Sequence, residues 1–318
     1  MKRMAVFLAA LVVCLSTVIT RSAQQDFSKV EIKTTPVAGS IYMLEGVGGN
    51  IAVSAGTDGA MMVDDQFLPM ADKIRAELKK LGDGRLKYVL NTHWHGDHTG
   101  GNSAFSAEAT VVAQENARRR LAAGQMLRGQ RVPPAQTAAL PIITYNTSMS
   151  FYFNGEEVRV VHYARGHTDG DSVIFFTGSK VAHLGDHYFA GKFPFIDLES
   201  GGSLEGLTKN IADIVERLPA GAKIIPGHGP LSTLEDLKQY QRMLVETTEI
   251  VRKRISAGKS LEQIKQEGLP EEWRSWGTGF IKTDQWIELI YRSLATQAGK
   301  ARASNHAHPQ GSYIYHGH

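Results

Sequence analysis

The feature that most constrains this 318-residue chain is a group of histidines and an aspartate directly after a predicted strand. The strand covers Leu86 to Leu90, and Thr92–Asn102 then reads THWHGDHTGGN. Three histidines within six residues, beside an aspartate, are rare in a hydrophobic core. Imidazole nitrogen and carboxylate oxygen are donors that suit zinc, and no thiolate is present to favour a softer metal. The segment therefore predicts a metal site where a strand ends.

The spacing inside this cluster predicts how its side chains are arranged. Residues two apart in an extended segment face the same way, so His93, His95 and Asp97 are expected to converge on one side. Gly96 allows a tight turn, which lets Asp97 and the adjacent His98 serve a second ion. The pattern therefore accommodates two ions.

Three further candidate ligands stand next to predicted strands. His167 lies in GHTDGD just past a strand, Asp186 ends a strand in LGD, and His228 lies in PGHGP where a strand stops. Each of them alone is more typical of a turn or a cap. Together, in this order after the histidine cluster, they form a specific pattern.

These residues make the sequence resemble the metallo-β-lactamase superfamily over roughly Ile41 to Leu234. The opening THWHGDH, the stretch FPFID (Phe193 to Asp197) and the run PGHGPL are most similar to an exported group within that superfamily. The resemblance implies an α/β fold: a four-layer αββα sandwich with its site along the shared edge of two sheets. A helical pattern from Leu231 onward adds C-terminal helices to it.

The resemblance also implies a role for each candidate. Two zinc ions are expected, the first held by His93, His95 and His167 and the second by Asp97, His98 and His228. Asp186 would bridge the two metals. Asp64, after a strand that ends at Val63, would orient a ligand without binding an ion itself. Asp97 is also a candidate for the chemistry, and Tyr188 is a weaker one that could polarise a substrate carbonyl, with packing as the alternative.

The ligand set indicates a hydrolase. Zinc β-lactamases usually carry cysteine or serine where this chain has Asp186, so the resemblance is closer to thioesterases and lactonases. Two zinc ions lower the pKa of a shared water to near neutral, and the resulting hydroxide attacks an acyl carbonyl. The expected substrate is a small molecule: a β-lactam, a lactone or a thioester. The alternatives are a mononuclear iron dioxygenase acting on persulfides and a non-catalytic periplasmic zinc-binding protein.

The N-terminal segment predicts export. Lys2 and Arg3 precede an apolar run that ends near Thr20, and small residues follow at Ser22 and Ala23. This order is typical of a secretory signal peptide over residues 1–23, with an uncleaved anchor as the alternative. A periplasmic or secreted protein without a membrane attachment is therefore expected after cleavage.

Removal of this segment changes the charge and the cysteine count. Lys2, Arg3 and Arg21 account for the formal net charge of +3, so the mature chain is close to neutral and nothing attracts it to nucleic acid. The single cysteine, Cys14, leaves with the signal, which fits an oxidising compartment. The hydrolase domain is expected over 24–299, followed by a flexible histidine-containing tail over 300–318.

Apolar runs and turn residues predict the remaining elements. Residues 124–141, rich in glycine and proline, predict a long irregular loop that serves as a lid and, with the residues around Phe193, sets specificity. Helices are predicted at Met70 to Leu81, Glu115 to Ala122 and Leu204 to Leu218. Strands are predicted at Val30 to Thr34, Ile41 to Glu45, Asn50 to Ala55, Ala60 to Val63, Thr110 to Ala113, Ser148 to Phe153, Val158 to Tyr163, Ser172 to Phe176, Lys180 to Leu184 and Lys223 to Ile225.

Overall fold

The computed structural model describes residues 26–82 and 84–306, with side chains as far as residue 295. The predicted signal peptide lies outside the described residues, as do residues 307–318 of the predicted tail. The backbone of residues 300–306 belongs to the last helix. Within the described ranges, no helix is both long and apolar enough to span a bilayer.

Two large β-sheets carry the fold. The first contains β1 (Lys33–Ala38), β2 (Ile41–Glu45), β3 (Ile51–Gly56), β4 (Gly59–Val63), β5 (Leu86–Asn91), β6 (Thr110–Gln114) and, after the hairpin strands β7 (Gln125–Leu127) and β8 (Gln130–Val132), β9 (Ile143–Tyr145). The second contains β10 (Ser148–Phe153), β11 (Glu156–His162), β12 (Ser172–Phe176), β13 (Val181–His183), β14 (Lys223–Ile225) and β15 (Ser232–Thr233). In both sheets, antiparallel strands come first and parallel pairs follow at β4–β5 and β13–β14.

The described residues form nine α-helices, and the longer ones cover the outer faces of the sheets. They are α1 (Ala71–Leu81), α2 (Gly96–Thr99), α3 (Asn102–Phe105), α4 (Glu115–Ala123), α5 (Leu204–Arg217), α6 (Leu234–Ser256), α7 (Leu261–Glu267), α8 (Glu271–Arg274) and α9 (Thr283–His306). The longest internal one, α6, begins with a capping box in which Thr233 and Asp236 exchange side chain-to-backbone hydrogen bonds.

Alternating side chains along the strands produce the layers. In β4, Met61 and Val63 pack toward the second sheet, whereas Met62 packs on α1 with Ile74. The outer face of the second sheet buries Val173 and its neighbours against α5, α6 and α9. Each buried large aliphatic side chain contributes roughly 1.5–3 kcal/mol. The expected four-layer αββα sandwich with additional C-terminal helices is thereby confirmed.

Two of the predicted elements differ from the structure. The first strand begins at Lys33 and not at Val30, and it contains Pro36, which this strand tolerates because it lies at the sheet edge. The segment 124–141 is not irregular throughout, since β7 and β8 form a hairpin in it. Its two turn residues, Arg128 and Gly129, both have positive φ (54° and 74°), and an arginine there conceals a turn normally marked by Asn-Gly.

Candidate metal centre

The histidine cluster leaves β5 as an extended chain and turns helical after His95. His95 is extended (φ −63°, ψ 147°), and its carbonyl accepts hydrogen bonds from the N–H groups of His98 and Thr99 (3.0 and 3.1 Å). The extended geometry therefore ends before Asp97. The expectation that Asp97 shares a side with His93 and His95 was wrong, whereas the turn at Gly96 does separate Asp97 and His98 from the first two histidines.

The first group of donor atoms belongs to three histidines and one aspartate, all of them buried. His95 Nδ1 lies 3.0 Å from His93 Nε2 and 2.8 Å from His167 Nε2. Asp186 Oδ2 lies 3.4 Å from His167 Nε2 and 3.8 Å from His93 Nε2. These donors come from the ends of β5 and β13 and from the loop before β12, so both sheets contribute to one cluster.

The second group contains Asp97, His98 and His228. His98 Nε2 and His228 Nε2 lie 3.4 Å apart, and Asp97 Oδ2 lies 3.6 Å from the former and 3.4 Å from the latter. His98 is fully buried, while the side chains of the other two remain about 30% exposed (28% and 31%). This group is therefore the one that opens toward solvent.

Asp186 connects the two groups. Its Oδ2 faces the first group, and its Oδ1 lies 3.1 Å from His98 Nε2 and 3.3 Å from His228 Nε2. No hydrogen bond reaches that buried Oδ1 among the described residues, so its charge is balanced only by the adjacent imidazole rings or by a bound cation. Imidazole nitrogens and carboxylate oxygens without a thiolate fit a borderline cation such as Zn²⁺. The donor set therefore fits metal ions.

Two glycines lie directly against the ligands Asp186 and His98. A Cβ on Gly227 would lie 2.1 Å from Asp186 Oδ1 and 2.7 Å from the backbone of Gly185. Similarly, a Cβ on Gly49 would lie 2.2 Å from the His98 ring. The backbone thus approaches these two ligands more closely than any other residue type permits.

Hydrogen bonds from outside the groups orient the histidine rings. His98 Nδ1 lies 2.7 Å from Asp64 Oδ2, and Asp64, with a left-handed φ of 64°, also accepts from the Thr92 N–H (2.7 Å). Asp64 thus makes the kind of contact expected from the sequence. His167 Nδ1 lies 2.8 Å from the carbonyl of Phe195. Such contacts fix which ring nitrogen faces a metal.

Asp197 makes a contact with the first group that the sequence analysis does not predict. Its Oδ2 lies 3.0 Å from His95 Nε2, so His95 presents Nδ1 to the first group while His93 and His167 present Nε2. Asp197 also accepts a hydrogen bond from the Ser200 N–H, which is what a capping aspartate does. The only sequence signal was its place at the end of the FPFID stretch.

Tyr188 does not reach the two groups. Its hydroxyl donates to Ser232 Oγ (3.2 Å), its ring packs on Tyr240 with centroids 5.0 Å apart, and burial raises its pKa to about 12. Tyr188 does not line the cavity above the metal ligands. Its position favours the packing alternative over polarisation of a substrate carbonyl.

The electrostatics of the two groups differ. Burial lowers the pKa of His167 to about 4, and burial likewise holds the pKa of His93 well below its usual value. At His228, burial opposes protonation, but Asp186 and Asp97 raise the pKa to about 9. In the metal-free first group, His93 and His167 are therefore neutral at pH 7, whereas His228 in the second group is protonated.

We expect metal binding at the second group to be far more sensitive to pH. An ion must displace the proton from His228, so its apparent affinity should fall about tenfold per pH unit and per proton displaced below pH 9. The apparent affinity of the group that contains His167 should not fall comparably until the pH approaches 4, where that ring gains a proton. Calorimetric titration with Zn²⁺ between pH 6 and 8 measures both steps. Equal pH dependence of the two steps would contradict this difference.

A cavity of about 640 Å³ lies over both groups. Its base includes His95, Asp97, Asp186 and His228. Its walls are mainly apolar and aromatic. The β7–β8 hairpin, the segment around Phe193 and the chain before α9 contribute Leu127, Val132, Phe189, Phe193, Phe195, Phe280 and Ile281, while the loop after β4 contributes Phe67 and the histidine cluster contributes Trp94. The hairpin and the Phe193 segment, expected to set specificity, thus do border this cavity.

The sequence is similar to those of known proteins. The sequence profile of the metallo-β-lactamase superfamily matches residues 34–228. The lactamase-like protein aptB of Emericella nidulans is 24% identical over 253 residues, which are 79% of this chain and 70% of that protein. A hydroxyacylglutathione hydrolase of Methylococcus capsulatus is 30% identical over 149 residues, which are 45% of this chain and 48% of that protein.

Solved structures share the fold at lower identity. A metallo-β-lactamase from Pontibacter korlensis superposes with a TM-score of 0.55 at 19% identity, covering 67% of this chain and 99% of that one. The metallo-β-lactamase DIM-1 gives the same TM-score and identity over 69% of this chain and 99% of its own. Phe280 and Ile281 of the cavity wall lie beyond the residues that the profile matches.

Proposed function

Because the chain belongs to the metallo-β-lactamase superfamily, we propose that it is a metal-dependent hydrolase that cleaves an activated or strained acyl substrate. The substrate classes that fit are β-lactams, lactones and thioesters. The relatives named above include a hydroxyacylglutathione hydrolase and a lactamase-like protein, which supports hydrolysis without selecting among these classes.

The main support for this proposal is that the two carboxylate oxygens of Asp186 face different groups of donor atoms. Oδ2 lies 3.4 Å from His167 in one group, and the unpartnered Oδ1 lies 3.1 Å from His98 in the other. A carboxylate with one oxygen toward each of two donor sets suits a pair of cations. A single-iron dioxygenase has no need of the second donor set, so this arrangement supports the hydrolase over that alternative.

The residues of the site would bind the metal ions, orient the ligands and exclude water. Bound divalent cations lower the pKa of water to near neutral and polarise an acyl oxygen. The histidines would hold the ions, with Asp64 and Asp197 keeping the ring nitrogens of His98 and His95 turned inward. The aromatic walls would exclude bulk water, which strengthens every charge interaction inside the cavity.

A hydrolysis screen tests the proposal. The purified, zinc-loaded protein is offered β-lactams, lactones, thioesters and phosphodiesters, with a chelated sample as the control. Turnover of at least one acyl class, abolished by the chelator and restored by the ion, is expected. Full metal occupancy with no turnover on any acyl compound would instead identify a metal-binding protein without catalysis.

The metal content is expected to be about two zinc ions per mature chain, because the structure brings two donor sets together around Asp186. Elemental analysis of protein purified without added chelator measures it. One iron per chain with negligible zinc would reject the hydrolase proposal in favour of the oxygenase.

We also propose that the protein is exported, from the charged, apolar and small-residue order of Lys2 to Ala23. Cell fractionation followed by N-terminal sequencing should find a periplasmic protein that begins near Ala23 or Gln24. A full-length chain found only in the cytoplasm would refute this localisation.

A further inference from the structure

Helix α4 packs against both the histidine cluster and the loop of residues 166–171, the His167 loop. One side of the helix is apolar and belongs to a buried cluster with Trp94. On another side, Asn116 and Arg120 are four residues apart, and both side chains donate to Asp169 in the His167 loop. One short helix thus contacts two segments that carry candidate metal ligands.

The Arg120 guanidinium makes three hydrogen bonds to two different segments. Its Nε and Nη2 donate to the two carboxylate oxygens of Asp169, at 2.6 Å each, and its Nη1 donates to Gln125 Oε1 at 2.7 Å. The side chains of Arg120 and Asp169 are 16% and 29% exposed. A planar guanidinium fits both oxygens of a carboxylate at once, and partial shielding from water strengthens the pair. Arg120 therefore joins the two segments in one fixed geometry.

The contact with Asp169 holds the loop that carries His167. Asp169 is two residues beyond His167 in the chain. Its carbonyl accepts a hydrogen bond from Asn116 Nδ2 (3.0 Å), and its N–H donates to the carbonyl of Ser200 (2.9 Å). Gly170 lies so close to α4 that an added Cβ would be 2.7 Å from a backbone nitrogen of the helix. The position of His167 consequently depends on how α4 holds this loop.

The contact with Gln125 holds the base of the β7–β8 hairpin. Gln125 is the first residue of β7 and pairs with Val132, the last residue of β8. Leu127 and Val132 of the hairpin line the cavity above the metal ligands, whereas Arg120 does not line it. Arg120 therefore contacts the cavity wall and the His167 loop from outside the site.

We propose that Arg120 is a positioning residue that holds the His167 loop through Asp169 and the cavity wall through Gln125. The two contacts have separable effects. The contact with Asp169 sets how well the first group binds an ion, because His167 is one of its three histidines. The contact with Gln125 sets where the hairpin side chains lie in the cavity. This inference rests on the proposed metal centre, and it does not depend on which substrate is cleaved.

Metal binding is measured in variants that break one contact or both. In Arg120→Met and Asp169→Asn the zinc affinity should fall about tenfold, the lower end of the range for groups behind a metal ligand, because the His167 loop is no longer held. Gln125→Met should keep the wild-type affinity. Competition against a chelating dye measures these affinities. The visible absorption of the Co²⁺-loaded protein, which depends on ligand geometry, should change in Arg120→Met and Asp169→Asn but not in Gln125→Met.

Amide hydrogen exchange of the metal-free protein tests both contacts without an ion or a substrate. In Arg120→Met and Gln125→Met, the amides of residues 125–132 should exchange about tenfold faster, the effect of one lost hydrogen bond. In Asp169→Asn the increase should be confined to the His167 loop. Where a substrate is cleaved, Gln125→Met should raise KM with kcat nearly unchanged, since the metal ligands keep their positions.

Arg119→Met is the matched control, because Arg119 lies on the same helix with 67% of its side chain exposed. It should leave the zinc affinity, the Co²⁺ spectrum and the hydrogen exchange at their wild-type values. Arg120→Lys keeps the charge without the planar fork, so its zinc affinity should fall between those of Arg120→Met and the wild type.

Three results would overturn the proposal: wild-type zinc affinity in Asp169→Asn, wild-type hairpin exchange in Gln125→Met, or exchange that rises equally over the whole chain. The first two variants retain Arg120, so they decide the matter even if Arg120→Met does not fold. A wild-type protein that binds no zinc would refute the metal centre, and the exchange rates would then decide the role of Arg120 by themselves.

Discussion

Asp186→Ala is expected to lower turnover by more than about 100-fold, beyond the 10–100-fold typical when a residue behind a metal ligand is removed. Both donor groups lose a ligand, because Oδ2 faces His167 and Oδ1 faces His98. The second group should suffer more, since it retains only Asp97, His98 and His228, whereas the first keeps three buried histidines. Elemental analysis and kcat/KM on the best substrate measure the two effects.

The fold should survive this change because the apolar layers do not depend on Asp186. Circular dichroism is expected to be that of the wild type. Asp186→Asn, which keeps the shape and removes the charge, should resemble the alanine variant. Asp72→Ala, whose side chain is 96% exposed on α1, is the matched control. Two tightly held ions with near-normal hydrolysis would show that Asp186 is only a strand-end residue.

Gly227→Ala is expected to disrupt the metal centre without removing any ligand. The new Cβ would lie 2.1 Å from Asp186 Oδ1, and the strand-end backbone cannot retreat freely because the Gly227 N–H donates to the carbonyls of Gly185 and Tyr188 (2.8 and 3.0 Å). Asp186 must therefore move. A loss of about 1–3 kcal/mol in stability, typical of overpacking, should accompany lost metal occupancy and a drop in kcat/KM of about 100-fold.

Thermal unfolding, elemental analysis and kinetics on the same preparation measure these effects. Gly82→Ala is the control, since its Cβ would meet nothing within 4 Å and its φ of 175° is ordinary extended backbone. A Gly227→Ala protein with wild-type metal content and activity would show that Asp186 tolerates displacement, and would weaken its role as the link between the groups.

The metal centre was largely predictable because its signals are local. His93 to His98 lie within one short segment, and the remaining ligands each follow or precede a strand, where parallel strands bring their ends to one sheet edge. Strand alternation in β4, with Met61 and Met62 on opposite faces, likewise follows from the period of two. Such short-range patterns can be read from a single sequence without knowledge of the fold.

The features that were missed depend on long-range contacts or unusual backbone. Asp197 and His95 are in contact although they are 102 residues apart in the sequence, and no local spacing of residues predicts that contact. The hairpin at Arg128 was concealed because an arginine occupies a left-handed turn position. Phe280 joins the cavity only through the packing of the chain before α9. The geometry around Asp97 was misjudged because a helical turn begins one residue earlier.

The origin of the ligands in both sheets has a thermodynamic consequence. His98 and His228 are 130 residues apart in the chain, so the unfolded polypeptide offers an ion no comparable set of donors. An ion that binds only the folded state raises the free energy of unfolding by about 2.7 kcal/mol when its free concentration is 100 times its Kd. Metal supply in the surroundings would then govern how long this protein resists proteolysis, as well as whether it is active.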